Sequence, residues 1–193
     1  MELYIVRHGE TLFNASKHLQ GNLDIELNEK GKEAAEKLGE SLKEIPFDCI
    51  YSSPLVRAIK TAEAVQKYQK CPLVLDKRLE ELCFGVMQGK PLSEWLGIEG
   101  KYGDQLKKDP AHYLPPENGE SIPEIKERVS LFVKEVLENC GLNRVMVVAH
   151  GITNQSLCSV LENLKDEDFW KSPLQKNCEA TIYEYDGQRW KRK

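Results

Sequence analysis

Two short apolar runs in the sequence each lead into a histidine that is followed by glycine. Residues 3–6 lead through an arginine into His8, and residues 145–149 lead into His150. Apolar runs of this length, rich in β-forming residues, predict buried strands. Segments with helical spacing of apolar residues separate the predicted strands. The sequence therefore predicts a three-layer α/β/α sandwich with a mostly parallel central sheet.

The apolar pattern predicts further elements of both kinds along the chain. It predicts helices over residues 28–42, around residues 58–65 and over residues 122–137, and strands over residues 49–51, 73–75 and 181–185. Residues 92–118 are rich in Gly, Pro and Lys and predict an irregular insertion or lid. We expect residues 1–193 to form a single domain that carries this insertion.

Composition and charge exclude several classes of protein. Of the 193 residues, 40% are hydrophobic and 30% are charged, which is typical of a globular chain. A net charge of −4 argues against a nucleic-acid partner, and the short basic segment 189–193 is predicted to be a solvated tail. No stretch has the length of a transmembrane helix and the first residues lack a signal-peptide layout, so we expect a cytoplasmic protein with no membrane partner.

The six cysteines are scattered along the chain, and none belongs to a C-x-x-C pair. In a chain without an export signal, this spacing predicts reduced thiols rather than disulfides. The same spacing argues against a zinc site. The sequence thus predicts neither a metal nor a cofactor.

Polar side chains follow the predicted parallel strands where each strand ends. Arg7 and His8 follow the first strand, Arg57 lies shortly after the second, and His150 follows the most apolar one. The carboxyl ends of parallel strands share one rim of a sheet, and ligands bind in the crevice beyond it. A charged surface turn is the alternative for any one of these residues. The convergence of all four on one rim instead predicts a binding site.

Two arginines beside two imidazoles form a pocket suited to a phosphate dianion. One histidine, held neutral, can attack phosphorus and form a phosphohistidine, while the second, which we expect to be protonated, stabilises charge on the phosphoryl oxygens. Asn14 offers a further donor, and the glycine after each histidine lets the backbone approach. The leaving oxygen needs a proton, for which Glu80 and Glu81 are both candidates from the residues alone.

Four segments of the sequence are similar to motifs of one family. Residues 7–14 read RHGETLFN and resemble R-H-G-E-[ST]-x-x-N; residues 52–62, 79–89 and 147–151 resemble the next three motifs in the family's order. The chain thus resembles the histidine phosphatase superfamily, the phosphoglycerate mutase-like proteins, over essentially its whole length. A lone R-H-G is weak evidence, but four motifs in order are specific.

The resemblance implies a role for each candidate residue. It implies that His8 is the nucleophile and that Glu81, rather than Glu80, is the acid that later activates water. It assigns the phosphate pocket to five residues: Arg7, Asn14, Arg57, His150 and Gly151. The natural partner is then a small phosphorylated metabolite.

The family contains both phosphatases and cofactor-dependent mutases. Residues 92–118 contain no arginine to bind a carboxylated substrate, and Phe84 stands where mutases tend to carry tyrosine. A metal-independent phosphomonoesterase that acts through phosphohistidine is therefore the main prediction, with a cofactor-dependent phosphoglycerate mutase as the alternative. A non-catalytic phosphate-binding regulatory protein is a third reading, although it would be expected to lack His8 or Glu81. Gln155 departs from the arginine or asparagine of many relatives, which leaves the substrate contacts open.

Overall fold

The computed structural model describes residues 1–171 and 174–193. A six-stranded sheet lies at its centre, with strands β1 to β6 at Glu2–Arg7, Cys49–Ser52, Leu73–Leu75, Arg144–Ala149, Ala180–Tyr185 and Trp190–Arg192. The spatial order is β3-β2-β4-β1-β5-β6. The four strands from β3 to β1 pair in parallel, and β5 and β6 join antiparallel at one side. The predicted fold class, with its mostly parallel sheet, is confirmed.

Helices cover both faces of the sheet. Helices α1 to α7 span Leu12–Ala15, Glu29–Ser41, Val56–Gln66, Leu92–Leu96, Tyr102–Lys108, Ile122–Phe132 and Gly151–Leu161. A π-helical stretch, Val133–Leu137, continues α6. None of the helices in the described ranges is long and apolar enough to cross a membrane.

Alternate residues of the central strands enter two separate cores. Leu3 and Ile5 of β1 pack with α6 and α7 on one face, whereas Tyr4 and Val6 pack with α2 and α3 on the other. This alternation follows from the two-residue period of a strand, which points successive side chains to opposite faces. It gives the three layers that the sequence predicted.

Three segments differ from the sequence-based expectation. Residues 92–118 are more regular than predicted, because α4 and α5 form there around buried Trp95, whose ring packs edge-on against Phe84 with centroids 5.2 Å apart. The predicted solvated tail instead forms β6, which pairs with β5 and stacks Trp190 on Tyr185. Helix α7 was missed because most of its residues are buried, so it lacks a one-sided apolar pattern.

The start of α2 packs directly on the chain that follows β1. Asn28 caps α2 by accepting a hydrogen bond from the N–H of Gly31, and a Cβ added at Gly31 would lie 2.0 Å from the carbonyl oxygen of Glu10. A Cβ added at Gly9 would likewise lie 2.6 Å from the carbonyl oxygen of Gly31. Only glycine permits this approach of two backbones.

We predict that Gly31→Ala destabilises the protein by about 1–3 kcal/mol, because the added methyl forces α2 away from residues 9 and 10. Urea unfolding measures this loss. Glu33→Ala, on the exposed side of the same helix, is the control and should change the free energy of unfolding by less than about 0.5 kcal/mol. If Gly31→Ala left the urea midpoint unchanged, α2 would be able to move away from residues 9 and 10 without loss of stability, and the prediction would be wrong.

Candidate active site

The parallel pairing of β1 with β4 brings the two predicted histidines together. Arg7 pairs with Ala149 in the strand register, and the N–H of His8 donates to the carbonyl of Ala149 at 3.0 Å. His8 and His150 therefore leave neighbouring strands side by side, with ring centroids 5.1 Å apart. Both rings are buried, with exposed fractions of 2% and 0%.

The ring of His8 is held in one tautomer. Its Nδ1 lies 2.7 Å from the carbonyl oxygen of Gly9. A carbonyl only accepts hydrogen bonds, so Nδ1 carries the hydrogen and Nε2 keeps its lone pair. Burial lowers the pKa of His8 well below its usual value, and the guanidinium groups of Arg57 and Arg7 lower it further. His8 is thus a neutral imidazole with a free lone pair on Nε2.

Thr61 fixes the loop that orients His8. Its hydroxyl accepts from the N–H of Gly9 at 2.9 Å and donates to the carbonyl of Arg57 at 2.7 Å. Asn177 holds the other side, because its amide donates to the carbonyl of His8 at 2.8 Å. These bonds fix the backbone on both sides of the ring.

Two arginines flank the histidines, one fully buried and one half-buried. Arg57 is fully buried and donates to the carbonyls of Leu23 and Gly21 at 2.7 and 2.6 Å. Burial lowers its pKa to about 10, so the guanidinium stays charged at neutral pH. Arg7 donates to the carbonyl of Gln175 at 2.6 Å, and its Nε is buried without a hydrogen-bond partner in the part of the chain that the structure describes.

His150 is neutral, contrary to the expectation of a protonated ring. Its Nδ1 accepts from Nε of Arg57 at 3.2 Å, so its hydrogen lies on Nε2, which donates to the hydroxyl of Ser53 at 2.8 Å. Burial and the positive charge of Arg57 lower its pKa well below the usual value. The sequence expectation failed because it took no account of how closely Arg57 packs on this ring.

Asn14 lies on α1 and lines the same cavity. Its Oδ1 accepts hydrogen bonds from the N–H and hydroxyl of Thr11, both at 3.1 Å. The amide hydrogens on Nδ2 are thereby turned away from Thr11. Asn14 is placed to donate a hydrogen bond to an anion between the two arginines.

Of the two candidate glutamates, the structure places Glu81 on the cavity and Glu80 outside its lining. The carboxylate of Glu81 lies at the N-terminus of α7, where it accepts from the N–H groups of Ile152 and Thr153 at 3.2 and 3.0 Å. Gly151 begins α7 and also lines the cavity. Six of the seven residues predicted for the site line the cavity: His8, Glu81, Arg7, Asn14, Arg57 and Gly151. The seventh, His150, is fully buried outside the lining and bonds to Arg57.

The cavity extends well beyond the residues predicted to bind phosphate. Its volume is about 500 Å³, and much of its wall is apolar, formed by Phe13, Leu92, Trp95, Leu96, Leu106, Trp170 and Leu174. Lys17, His18 and Lys107 also line it. Gln155 does not: it is buried and its amide donates to the carbonyl of Phe169.

Several residues that build the site were not singled out from the sequence. Ser53 and Thr153 bond directly to His150 and Glu81. Ser53 carried a signal, since it follows β2 on the rim where the other candidates lie. Thr153 carried none, because α7 itself was not predicted. Within residues 1–171 and 174–193, no group of three or more His, Cys, Asp or Glu side chains is arranged to hold a metal ion.

The family of the chain follows from its sequence. A model of the histidine phosphatase superfamily (branch 1) matches residues 3–193, so the chain belongs to this superfamily. Among curated proteins, the probable phosphoglycerate mutase GpmB of Salmonella arizonae is 32% identical over 190 residues, which cover 98% of this chain and 87% of that protein.

Solved structures of similar proteins share the fold closely. YhfR of Bacillus stearothermophilus superposes with a TM-score of 0.91 at 30% identity and covers 99% of this chain and 94% of its own. A mycobacterial glucosyl-3-phosphoglycerate phosphatase, solved with VO3, has the same TM-score at 26% identity and covers 100% and 96%. Phosphatases and probable mutases thus both stand among the relatives.

We predict that the two buried histidines make the protein less stable as pH falls below about 6.5. Their pKa values are lowered in the folded state, so the unfolded chain binds protons first, and stability present above pH 6.5 is lost below it. Each histidine adds a slope of up to about 1.4 kcal/mol per pH unit. Urea unfolding between pH 7 and 5 should show a shallower loss for His8→Gln than for the unsubstituted protein.

His112→Gln is the control for this measurement. His112 is exposed, and its hydrogen bond with Asp109 raises its pKa. Its contribution to the free energy of unfolding therefore increases as pH falls, whereas that of His8 decreases. Its replacement should not flatten the pH dependence. Equal slopes for His8→Gln and the unsubstituted protein would show that His8 titrates normally in the fold.

Proposed function

We propose that the protein is a metal-independent phosphomonoesterase that transfers the phosphoryl group of its substrate to His8 and then to water. The observation that carries this proposal is the state of His8. Its Nδ1 is bonded to the carbonyl of Gly9, its Nε2 lone pair is free, and the guanidinium groups of Arg57 and Arg7 lie close enough to lower its pKa. A nucleophile aimed into a cationic pocket is suited to attack on an anionic phosphoryl group.

The first half-reaction forms a phosphoenzyme. Arg7, Arg57 and Asn14 bind the phosphoryl oxygens, which neutralises charge and aligns phosphorus with Nε2 of His8. As the N–P bond forms, the bond from phosphorus to the ester oxygen breaks. Glu81 gives its proton to that oxygen, so an alcohol leaves and a carboxylate remains.

His150 contributes to the same step through Arg57. Its Nδ1 accepts from Nε of Arg57 at 3.2 Å and so orients the guanidinium that binds the phosphoryl oxygens. The neutral ring adds no competing charge, so the field of Arg57 acts on the negative charge that develops on those oxygens. Ser53 keeps the ring in place through Nε2 throughout.

The second half-reaction restores the enzyme. The carboxylate of Glu81 accepts a proton from a water molecule, whose oxygen attacks phosphorus as the N–P bond breaks. Inorganic phosphate leaves, and His8 regains its lone pair. Glu81 thus gives a proton in the first step and regains one from water in the second, while Arg7, Arg57 and Asn14 hold the phosphoryl oxygens in both.

The apolar wall of the cavity favours one class of substrate. The two arginines of the cavity lie at its phosphate end, and the wall beyond them is formed largely by aromatic and aliphatic side chains such as Phe13, Trp95 and Trp170. Binding is stabilised when such a wall removes apolar surface of a ligand from water. We therefore expect phosphomonoesters with an apolar or aromatic organic group to be the better substrates.

A phosphoglycerate mutase is the second candidate, since curated relatives about 31–32% identical are named probable phosphoglycerate mutases. A mutase would pass the phosphoryl group from His8 to a hydroxyl of a second phosphorylated metabolite. Its carboxylated substrate needs cationic contacts beyond the phosphate, and residues 92–118 bring one lysine, Lys107, to the cavity. A regulatory protein that only binds phosphate is less well supported, because His8 and Glu81 are both present on the cavity.

We predict that His8→Ala abolishes turnover, because it removes the nitrogen that accepts the phosphoryl group. Hydrolysis is measured as phosphate release from 2-phenylethyl phosphate and 4-nitrophenyl phosphate in the presence of EDTA.

The phosphoenzyme is trapped by rapid acid quenching of enzyme with a ³²P-labelled ester. Isomerisation is measured by a mutase assay with a bisphosphoglycerate primer. The unsubstituted protein should release phosphate and carry an acid-labile label at His8. A label on His150, activity restored only by added divalent ions, or isomerisation without hydrolysis would contradict the proposal.

We predict that Glu81→Gln slows hydrolysis of 2-phenylethyl phosphate by about 10²–10⁴-fold, the usual range for a lost general acid. The value of kcat/KM for 4-nitrophenyl phosphate should fall much less, because nitrophenolate leaves without a proton. Glu80→Gln is the matched control and should leave both substrates near their original rates. If Glu80→Gln were the more damaging change, the acid would have to be reassigned.

A further inference from the structure

The carboxylate of Glu81 has two oxygens in different surroundings. Oε1 accepts three hydrogen bonds, from the N–H of Leu82 at 2.9 Å and from the N–H and hydroxyl of Thr153 at 3.0 and 3.1 Å. Oε2 accepts one, from the N–H of Ile152 at 3.2 Å. A Cβ placed on Gly151, at the cavity, would lie 3.6 Å from Oε2 and 3.5 Å from Cζ of Arg7, so Oε2 is on the side of the phosphate pocket.

The three donors on Oε1 restrict where Glu81 can carry a proton. Two of them are backbone N–H groups, whose hydrogens cannot turn away. A proton on Oε1 would face these hydrogens and would displace at least one of the bonds. A proton on Oε2 leaves all three in place and lies on the cavity side, next to the leaving group.

Thr153 differs from the backbone donors because its hydroxyl has a choice of acceptors. It lies 2.7 Å from the carbonyl oxygen of Glu80 and 3.1 Å from Oε1 of Glu81, and it has one hydrogen. The residue is completely buried at the first turn of α7, so water does not compete for this hydroxyl. The single hydrogen can be shared between these two acceptors, so Oε1 keeps its third hydrogen bond whether Glu81 is a carboxylate or carries a proton on Oε2.

We propose that Thr153 is a positioning residue for Glu81, which keeps Oε1 occupied so that Oε2 carries the proton exchanged with the substrate. The inference rests on the proposed function, in which Glu81 protonates the leaving oxygen. It assigns Thr153 no contact with the substrate, because Thr153 acts through the carboxylate. The second hydrogen bond, to the backbone of Glu80, fixes the chain on which Glu81 is mounted.

The test compares Thr153→Val, which keeps the shape and the N–H but loses the hydroxyl, with Thr153→Ser, which keeps the hydroxyl. For Thr153→Val we expect kcat/KM for 2-phenylethyl phosphate to fall about 10-fold, the effect of one lost hydrogen bond to a charged group. The value for 4-nitrophenyl phosphate should change less than about 3-fold, because its leaving group needs no proton. Thr153→Ser should restore both values. If Thr153→Val does not fold by circular dichroism, Thr153→Ala takes its place.

Ser156→Ala is the matched control. Ser156 is a buried hydroxyl on the same helix whose hydrogen bond goes to the carbonyl of Ile152, away from Glu81, and its loss should leave the ratio of the two substrates unchanged. Equal losses for both substrates in Thr153→Val, or no loss, would overturn the inference while the proposed function stands. An unsubstituted protein that forms no phosphohistidine would overturn the proposed function and the inference with it.

Discussion

The parallel pairing of β1 with β4 is the contact on which the rest of the site depends. It sets two histidines at the same level on adjacent strands, with ring centroids 5.1 Å apart. A register shift of one residue would turn one ring to the opposite face of the sheet and separate the pair. The strands are buried on both faces, which fixes their register firmly. The geometry of the reacting groups is therefore a property of the core rather than of surface loops.

The electrostatics of the site follow from this burial. Two guanidinium groups remain charged in a place with little water, and their field lowers the pKa of both histidines. Backbone carbonyls of Gly21 and Leu23 hold Arg57 without neutralising it. The neutral histidines and fixed cations together favour an anion as the ligand, and they keep the nucleophile unprotonated in its absence.

The sequence predicted the sandwich and the rim because these depend on local patterns. Short apolar runs and helical periodicity give the order of elements, and parallel strands necessarily bring their carboxyl ends to one rim. The prediction that Arg7, Arg57 and His150 meet His8 required no knowledge of side-chain packing. The structure agrees with it.

What the sequence missed depends on contacts between distant residues. The neutral state of His150 results from Arg57 and Ser53, which lie 93 and 97 residues away along the chain. The residues alone left Glu80 and Glu81 equivalent, and the start of α7 distinguishes them in space. Helix α7 itself has no periodic signal because it is surrounded by protein on most sides. The short helices α4 and α5 are held by the packing of Trp95, which no local pattern encodes.

The three tryptophans of the chain occupy two kinds of surroundings, which gives the protein a built-in optical signal. Trp95 and Trp170 line the cavity, while Trp190 is stacked on Tyr185 and bonded to Glu138. A ligand that enters the cavity changes the polarity and the quenching groups around the first two and leaves the third as a constant background. Intrinsic fluorescence therefore reports occupancy of the site directly, without a label and without turnover.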